Sequence, residues 1–109
     1  MKIAIPILSD SPDAVICPRF ARSPFFAVAD TAFAAYEIIE NSYYDKKTGA
    51  GKSIAHQLVS VNRVNAFLAF ELGLKVQQYA NENKIQLIIL NNRKMNLQDI
   101  LKLMKIIKE

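Results

Sequence analysis

VNRVNAFLAFELGLKVQQYANENKIQLIIL, residues 61–90, switches twice between the spacing of a strand and that of a helix. Val61 to Phe70 is most apolar toward its end and predicts a strand, and Gly73 marks its exit. From Leu74 to Asn83 the positions Val76, Tyr79, Ala80 and Asn83 recur at helical spacing, and Ile85 to Leu90 is again a strand. A helix between two strands of one sheet carries the chain back to its starting edge, so the two strands run parallel. This unit predicts an α/β fold.

Toward the N-terminus, Lys52 to Ser60 predicts a helix through Ile54, Ala55, Leu58 and Val59. Ahead of it the polar run Tyr43 to Gly51, with two of the chain's three glycines, reads as a loop. Three strands come earlier: Lys2 to Leu8, nearly continuous in Ile; Phe25 to Asp30; and Ala35 to Asn41, joined to the second by a short hairpin. Toward the C-terminus, the polar run Asn91 to Lys94 precedes a last helix. Asn96 is its N-cap and Asp99 stands three residues on, where it can reach back. Leu97, Ile100, Leu101, Met104 and Ile107 form the apolar stripe of that helix, with Lys102, Lys105 and Lys108 facing elsewhere. The order is β-β-β-α-β-α-β-α, and a mixed sheet flanked by helices covers strands this apolar.

The 109 residues are enough for one domain, residues 1–109, with a core that needs no disulfide or structural metal. At 51% hydrophobic and 22% charged the composition is that of a globular protein. The single Cys excludes an internal disulfide, and the apolar run Ile3 to Leu8 is too short, and broken by Pro6, for a signal peptide. A cytoplasmic protein without a membrane partner is expected. The net charge of +4 favours anionic partners without choosing among nucleic acid, phosphate and an anionic cluster. Nucleic acid is not the expected partner, because Lys102, Lys105 and Lys108 have the spacing of a solvated helix face and no aromatic residues interleave with them.

The densest chemistry lies in Val15 to Phe26, which holds the only cysteine, two arginines and two prolines between apolar runs. The prolines keep the segment from being helical throughout and shape a loop that feeds the second strand. Cys17 is either a small buried hydrophobe or a soft ligand beside Arg19 and Arg22. The arginines either receive an anion or pair with Asp10, Asp13 or Asp30. Gly49-Ala50-Gly51-Lys52-Ser53 looks like the tail of a phosphate loop. It lacks the first glycine and follows a polar loop, so it reads as a helix start, which either attracts anions or only shapes a turn. His56 falls on the polar side of its helix, as a solvent-facing residue or a metal ligand. One His and one Cys cannot close a zinc site in one chain. No Ser-His-Asp set can be placed, and the carboxylates are scattered, so no enzyme is expected.

Taken together, KIAIPI (2–7), ICPRFARSPFF (16–26), the GAGK helix entry (49–52) and the closing β-α-β-α order resemble the nitrogenase accessory factor family. This is also called the dinitrogenase iron-molybdenum cofactor-binding domain, of NifX or NifB C-terminal type. The most specific part is Cys17 to Phe26, which looks like the family's PRFGR-P-F loop. The resemblance implies a three-layer α/β/α ribonuclease H-like fold whose five-stranded mixed sheet has its second strand antiparallel to the rest. It also implies a non-catalytic domain that binds or carries an iron-sulfur or iron-molybdenum type cluster, with that cluster or a cluster-assembly protein as partner and homo-oligomerisation left open. Carried over by position, the cofactor-facing residues are Cys17, Arg19, Phe20, Arg22, Gly49, Gly51 and Lys52, with Cys17 and His56 as metal ligands. Ala21 stands where the family usually has glycine. The family's G-x-x-G-P-N-A turn is replaced by Phe70-Glu71-Leu72-Gly73-Leu74-Lys75, which keeps only Gly73. An acidic Glu71 there weakens the expected hold on an anion, and leaves open a ligand-free interaction module that kept the fold. Nuclease activity would rest on fold analogy alone.

Overall fold

The computed structural model describes residues 1–107; Lys108 lies outside the described residues. The elements are β1 (Lys2–Ile7), β2 (Phe25–Asp30), β3 (Ala35–Glu40), α1 (Ala50–Ser60), β4 (Ala66–Ala69), α2 (Leu74–Glu82), β5 (Gln86–Ile89) and α3 (Leu97–Leu103), with a 3-10 turn at Phe20–Arg22. The sheet order is β3-β2-β1-β4-β5. β2 pairs antiparallel with β1 and β3, while β4 pairs parallel with β1 and β5, so β2 alone runs against the rest. This is the mixed five-stranded α/β architecture expected.

Strand alternation sends side chains to two cores. Ile3, Ile5, Ile7, Ala66 and Leu68 pack under Leu97, Ile100 and Leu101 of α3. Ala4, Phe26, Val28, Phe67 and Ala69 pack under Ile54, Ala55 and Leu58 of α1 and Val76 and Ala80 of α2. The layers are therefore α1 and α2, then the sheet, then α3. Pro6 lies in the central strand without breaking it. The ladder to β4 runs only through Ile3 and Ala4, and beyond it the Pro6 carbonyl accepts from Cys17 N at 2.9 Å.

Two boundaries differ from expectation. The fourth strand begins at Ala66, not Val61, because residues 61–65 complete the exit from α1: Val61 N donates to Gln57 O and Val64 N to Leu58 O, with Arg63 at φ 61°. The last helix opens with the expected capping box of Asn96 and Asp99, but it ends at Leu103. Lys105 takes φ 59°, its N–H donates to Lys102 O, and Ile106 N donates to Leu101 O, so Ile106 turns back onto the core. The same closing motif ends α2, with Lys84 at φ 57°, Lys84 N donating to Asn81 O and Ile85 N to Ala80 O. Glycine normally fills this left-handed position, so its absence hid the stop of α3, while α2 ends within one residue of the expected Asn83. Lys84→Gly and Lys105→Gly are each expected to raise stability by about 0.5–1 kcal/mol, measured by denaturant unfolding.

Candidate functional site

β1, β3, β4 and β5 end at one edge of the sheet, where ligands of open α/β sheets bind. The loops that follow them (8–24, 41–49, 70–73 and 90–96) and the starts of α1 and α2 gather on this rim.

The first loop doubles back on β1. Leu8 N donates to Val15 O at 2.9 Å, and Ile7 bridges to Ile16. Two buried polar side chains then fasten it. Ser23, with no solvent exposure, places its hydroxyl 2.9 Å from Ile7 O and 2.7 Å from Phe25 O. Asn41 donates to Ser23 O at 2.8 Å and Ala21 O at 3.3 Å, and accepts from Tyr43 N at 2.9 Å. Phe20 is the apolar anchor, with ring centroids 4.9 Å from Phe26 and 5.0 Å from Phe67.

The loop packs beside the turn after β4, and the backbones of Arg19 and Glu71 pair there as an isolated parallel β-bridge. Between them lies a hollow of about 370 Å³, lined by Pro18, Arg19, Phe20 and Arg22 on one side and Glu71, Leu72 and Gly73 on the other. Arg19 is exposed, and among the described residues its guanidinium has no hydrogen-bond or ion-pair partner. Arg22 donates to the carbonyls of Tyr44, at 3.1 Å, and Lys46, which ties the loop after β3 to the rim. Of the two alternatives for the arginines, pairing with Asp10, Asp13 or Asp30 does not occur. Asp13 accepts from Ser11, Asp30 accepts from Ala32 N, and the one ion pair among the described residues joins Arg93 and Glu71. Cys17 is buried, 4% exposed, and its thiol donates to Arg19 O at 3.3 Å.

The two helix starts lie side by side. α1 is entered through Gly49, at φ 74°, a left-handed conformation that suits glycine. Gly51 permits a close approach: a Cβ there would stand 2.8 Å from Val76 Cγ2 and 3.4 Å from Ala21 Cβ. α2 starts after Gly73. Neither helix has a side-chain cap or an acid in its first turn, and each carries a lysine there, Lys52 and Lys75. The helix dipole prefers the reverse, which α3 shows with Asn96 and Asp99. Uncapped amides and first-turn cations together attract anions.

Lys52 and Lys75 line a second hollow of about 250 Å³ between α1 and α2, with Tyr79 on its wall. His56 is exposed, as expected, with Nδ1 3.2 Å from Tyr79 Oη, and it does not line the rim hollow. Among the described residues no three His, Cys, Asp or Glu side chains converge to hold a metal ion. The structure thus brings Arg19, Phe20 and Arg22 to one hollow and leaves Cys17 buried and off its wall, with Gly51 against Ala21. Sequence reading passed over Arg93 and took Leu72 and Lys75 only as part of a replaced turn. The signal available was the strand order, which sets the loop after β4 beside the loop after β1.

The family model described as "Dinitrogenase iron-molybdenum cofactor" matches residues 1–105. The chain belongs to this family. Two solved structures share the dinitrogenase iron-molybdenum cofactor family's fold with it. The apo form of the orange protein from Desulfovibrio gigas aligns with TM-score 0.80 and 23% identity over 95% of this chain and 87% of that one. A Thermotoga protein of the DUF35 family, described as NifB-like, aligns with TM-score 0.78 and 22% identity over 95% and 87%. At these identities the likeness carries the fold. No curated protein matches the chain.

Proposed function

We propose that this rim docks an iron-sulfur or iron-molybdenum type cluster as cargo in cofactor assembly, with no catalytic step and with residues 1–109 acting as one unit. The observation that carries the reading is the pair of uncapped helix starts, bearing Lys52 and Lys75, beside the unpartnered Arg19. A preassembled cluster brings its own sulfides, so a carrier needs few protein ligands and gains from cations and amides that hold a net negative charge. The donor set fits such cargo and not a bare metal ion, since no side-chain cluster is present among the described residues to coordinate one.

In this reading Arg19 supplies the free cation, and Arg22 adds charge while holding the 41–49 loop. Gly49 and Gly51 keep the amides at the start of α1 approachable, Lys52 adds a second cation and Phe20 forms the floor. Cys17 gives the single soft ligand, and loading turns its thiol away from Arg19 O. His56 stands outside the hollow, beside Tyr79. Among the described residues no helix is long and apolar enough to cross a membrane, and a cytoplasmic cluster-assembly protein is the proposed partner.

The test is anaerobic reconstitution with iron and sulfide or isolated cofactor. Charge-transfer absorption is expected in the native chain, with loss in Cys17→Ala and severalfold weaker loading in Arg19→Gln. No absorption above background overturns the reading, and unchanged loading of Cys17→Ala removes that residue from the site. The buried thiol and the carboxylate of Glu71 on the hollow's wall favour a second reading, a ligand-free module that binds a protein or itself. It predicts a concentration-dependent mass and no metal by elemental analysis.

A further inference from the structure

Among the described residues Glu71 is the only acid lining the rim hollow, and it does not face the cargo alone. Arg93, from the loop after β5, places Nη2 3.4 Å from Glu71 Oε1 and its guanidinium carbon 4.9 Å from the centroid of the Phe70 ring. The ring, 8% exposed, gives Arg93 a fixed platform. The paired side chains are 56% and 78% exposed, so the contact contributes little to stability. Its consequence lies in the charge presented at the mouth.

Arg19 and Arg22 on one wall contribute two positive charges, and Glu71 on the other contributes one negative charge. Left alone, that carboxylate would repel an anion entering beside it. We infer that Arg93 is a positioning residue that neutralises Glu71 and keeps the mouth receptive to anions, so that the pair sets how tightly charged cargo is held. The inference rests on the reading of the rim as an anion dock. It assigns a purpose to the acid that replaces the family's glycine-rich turn, as a means of weakening the hold so that cargo is released.

The probe is inorganic pyrophosphate, a polyanion without iron, titrated at low salt and followed through the Gly73 and Lys52 amide resonances. The native chain is expected to bind it. Arg93→Gln exposes the carboxylate and should weaken binding by roughly five- to tenfold, from Coulomb repulsion across water. Glu71→Gln leaves Arg93 uncompensated and should tighten binding severalfold. The double variant removes one charge of each sign and should return to native affinity. All differences should shrink at 0.5 M salt, which a merely structural role would not produce. Should Arg93→Gln not fold, the gain in Glu71→Gln decides alone. Failure of the native chain to bind, an unchanged Glu71→Gln, or a double variant that stays weak overturns the inference. Pyrophosphate binding with this pattern but no cluster loading would retain the charge pair and discard the cluster reading.

Discussion

Phe20→Ala is expected to lower the stability of the fold by about 3–5 kcal/mol, measured by denaturant unfolding. The ring is 2% exposed and lies against Phe26 and Phe67, each of them fully buried. Truncation removes its burial, opens a cavity beneath the 3-10 turn and ends two aromatic contacts, each worth about 0.5–1.5 kcal/mol beyond area. It also releases the turn that sets Arg19 and Arg22 in place, so anion binding should fall with stability. A loss below about 1 kcal/mol would mean that the site collapses without cost or that the ring is peripheral. Phe20→Leu should recover most of the stability, because it keeps the burial and gives up only the aromatic contacts.

Asn41→Asp should destabilise by about 3 kcal/mol near neutral pH, since it buries a charge and removes two donated bonds. The native side chain is 2% exposed, and its Nδ2 faces the carbonyls of Ala21 and Ser23. A carboxylate there would meet carbonyl oxygens, and both that repulsion and burial favour its protonated form, raising its folded pKa above the ordinary value of about 3.9. Below that value both states are protonated and the penalty is smallest. As pH rises through it, the unfolded chain ionises first and the folded chain retains its proton. Stability therefore falls with rising pH, by up to about 1.4 kcal/mol per unit, until the folded carboxyl ionises too. Unfolding of the variant between pH 3 and 8, with Asn41→Ala as the control lacking this slope, measures it. Equal slopes for the two variants would show that the site is open to water.

The parallel pair β4 and β5, the β2–β3 hairpin and the capping box of α3 were legible because each rests on local pattern: apolar runs, period-2 alternation and an Asn three residues before an Asp. Boundaries escaped where the chain broke a local rule. Arg63 and Lys105 hold left-handed conformations without glycine, and tertiary packing of the residues after them, Val64 and Ile106, supports that strain. The site divided in the same way. The first loop stood out by its composition, and Arg22 lies on the rim. Its partners are backbone carbonyls, which no composition reveals, and not the aspartates. Arg93 was hidden because only the sheet order brings it to Glu71 on the hollow's wall.

The segment from Ala14 to Phe20 contributes to both cores. Ala14 and Ile16 pack with the α3 side of the sheet, and Phe20 packs with the side of α1 and α2. It acts as a hem stitched through the fabric of the protein, with only Pro18 and Arg19 turned outward between the stitches at Cys17 and Phe20. An engineer grafting a new recognition tip onto this scaffold would therefore have a window of two residues to rewrite. Longer inserts would have to bulge away from the thread on either side.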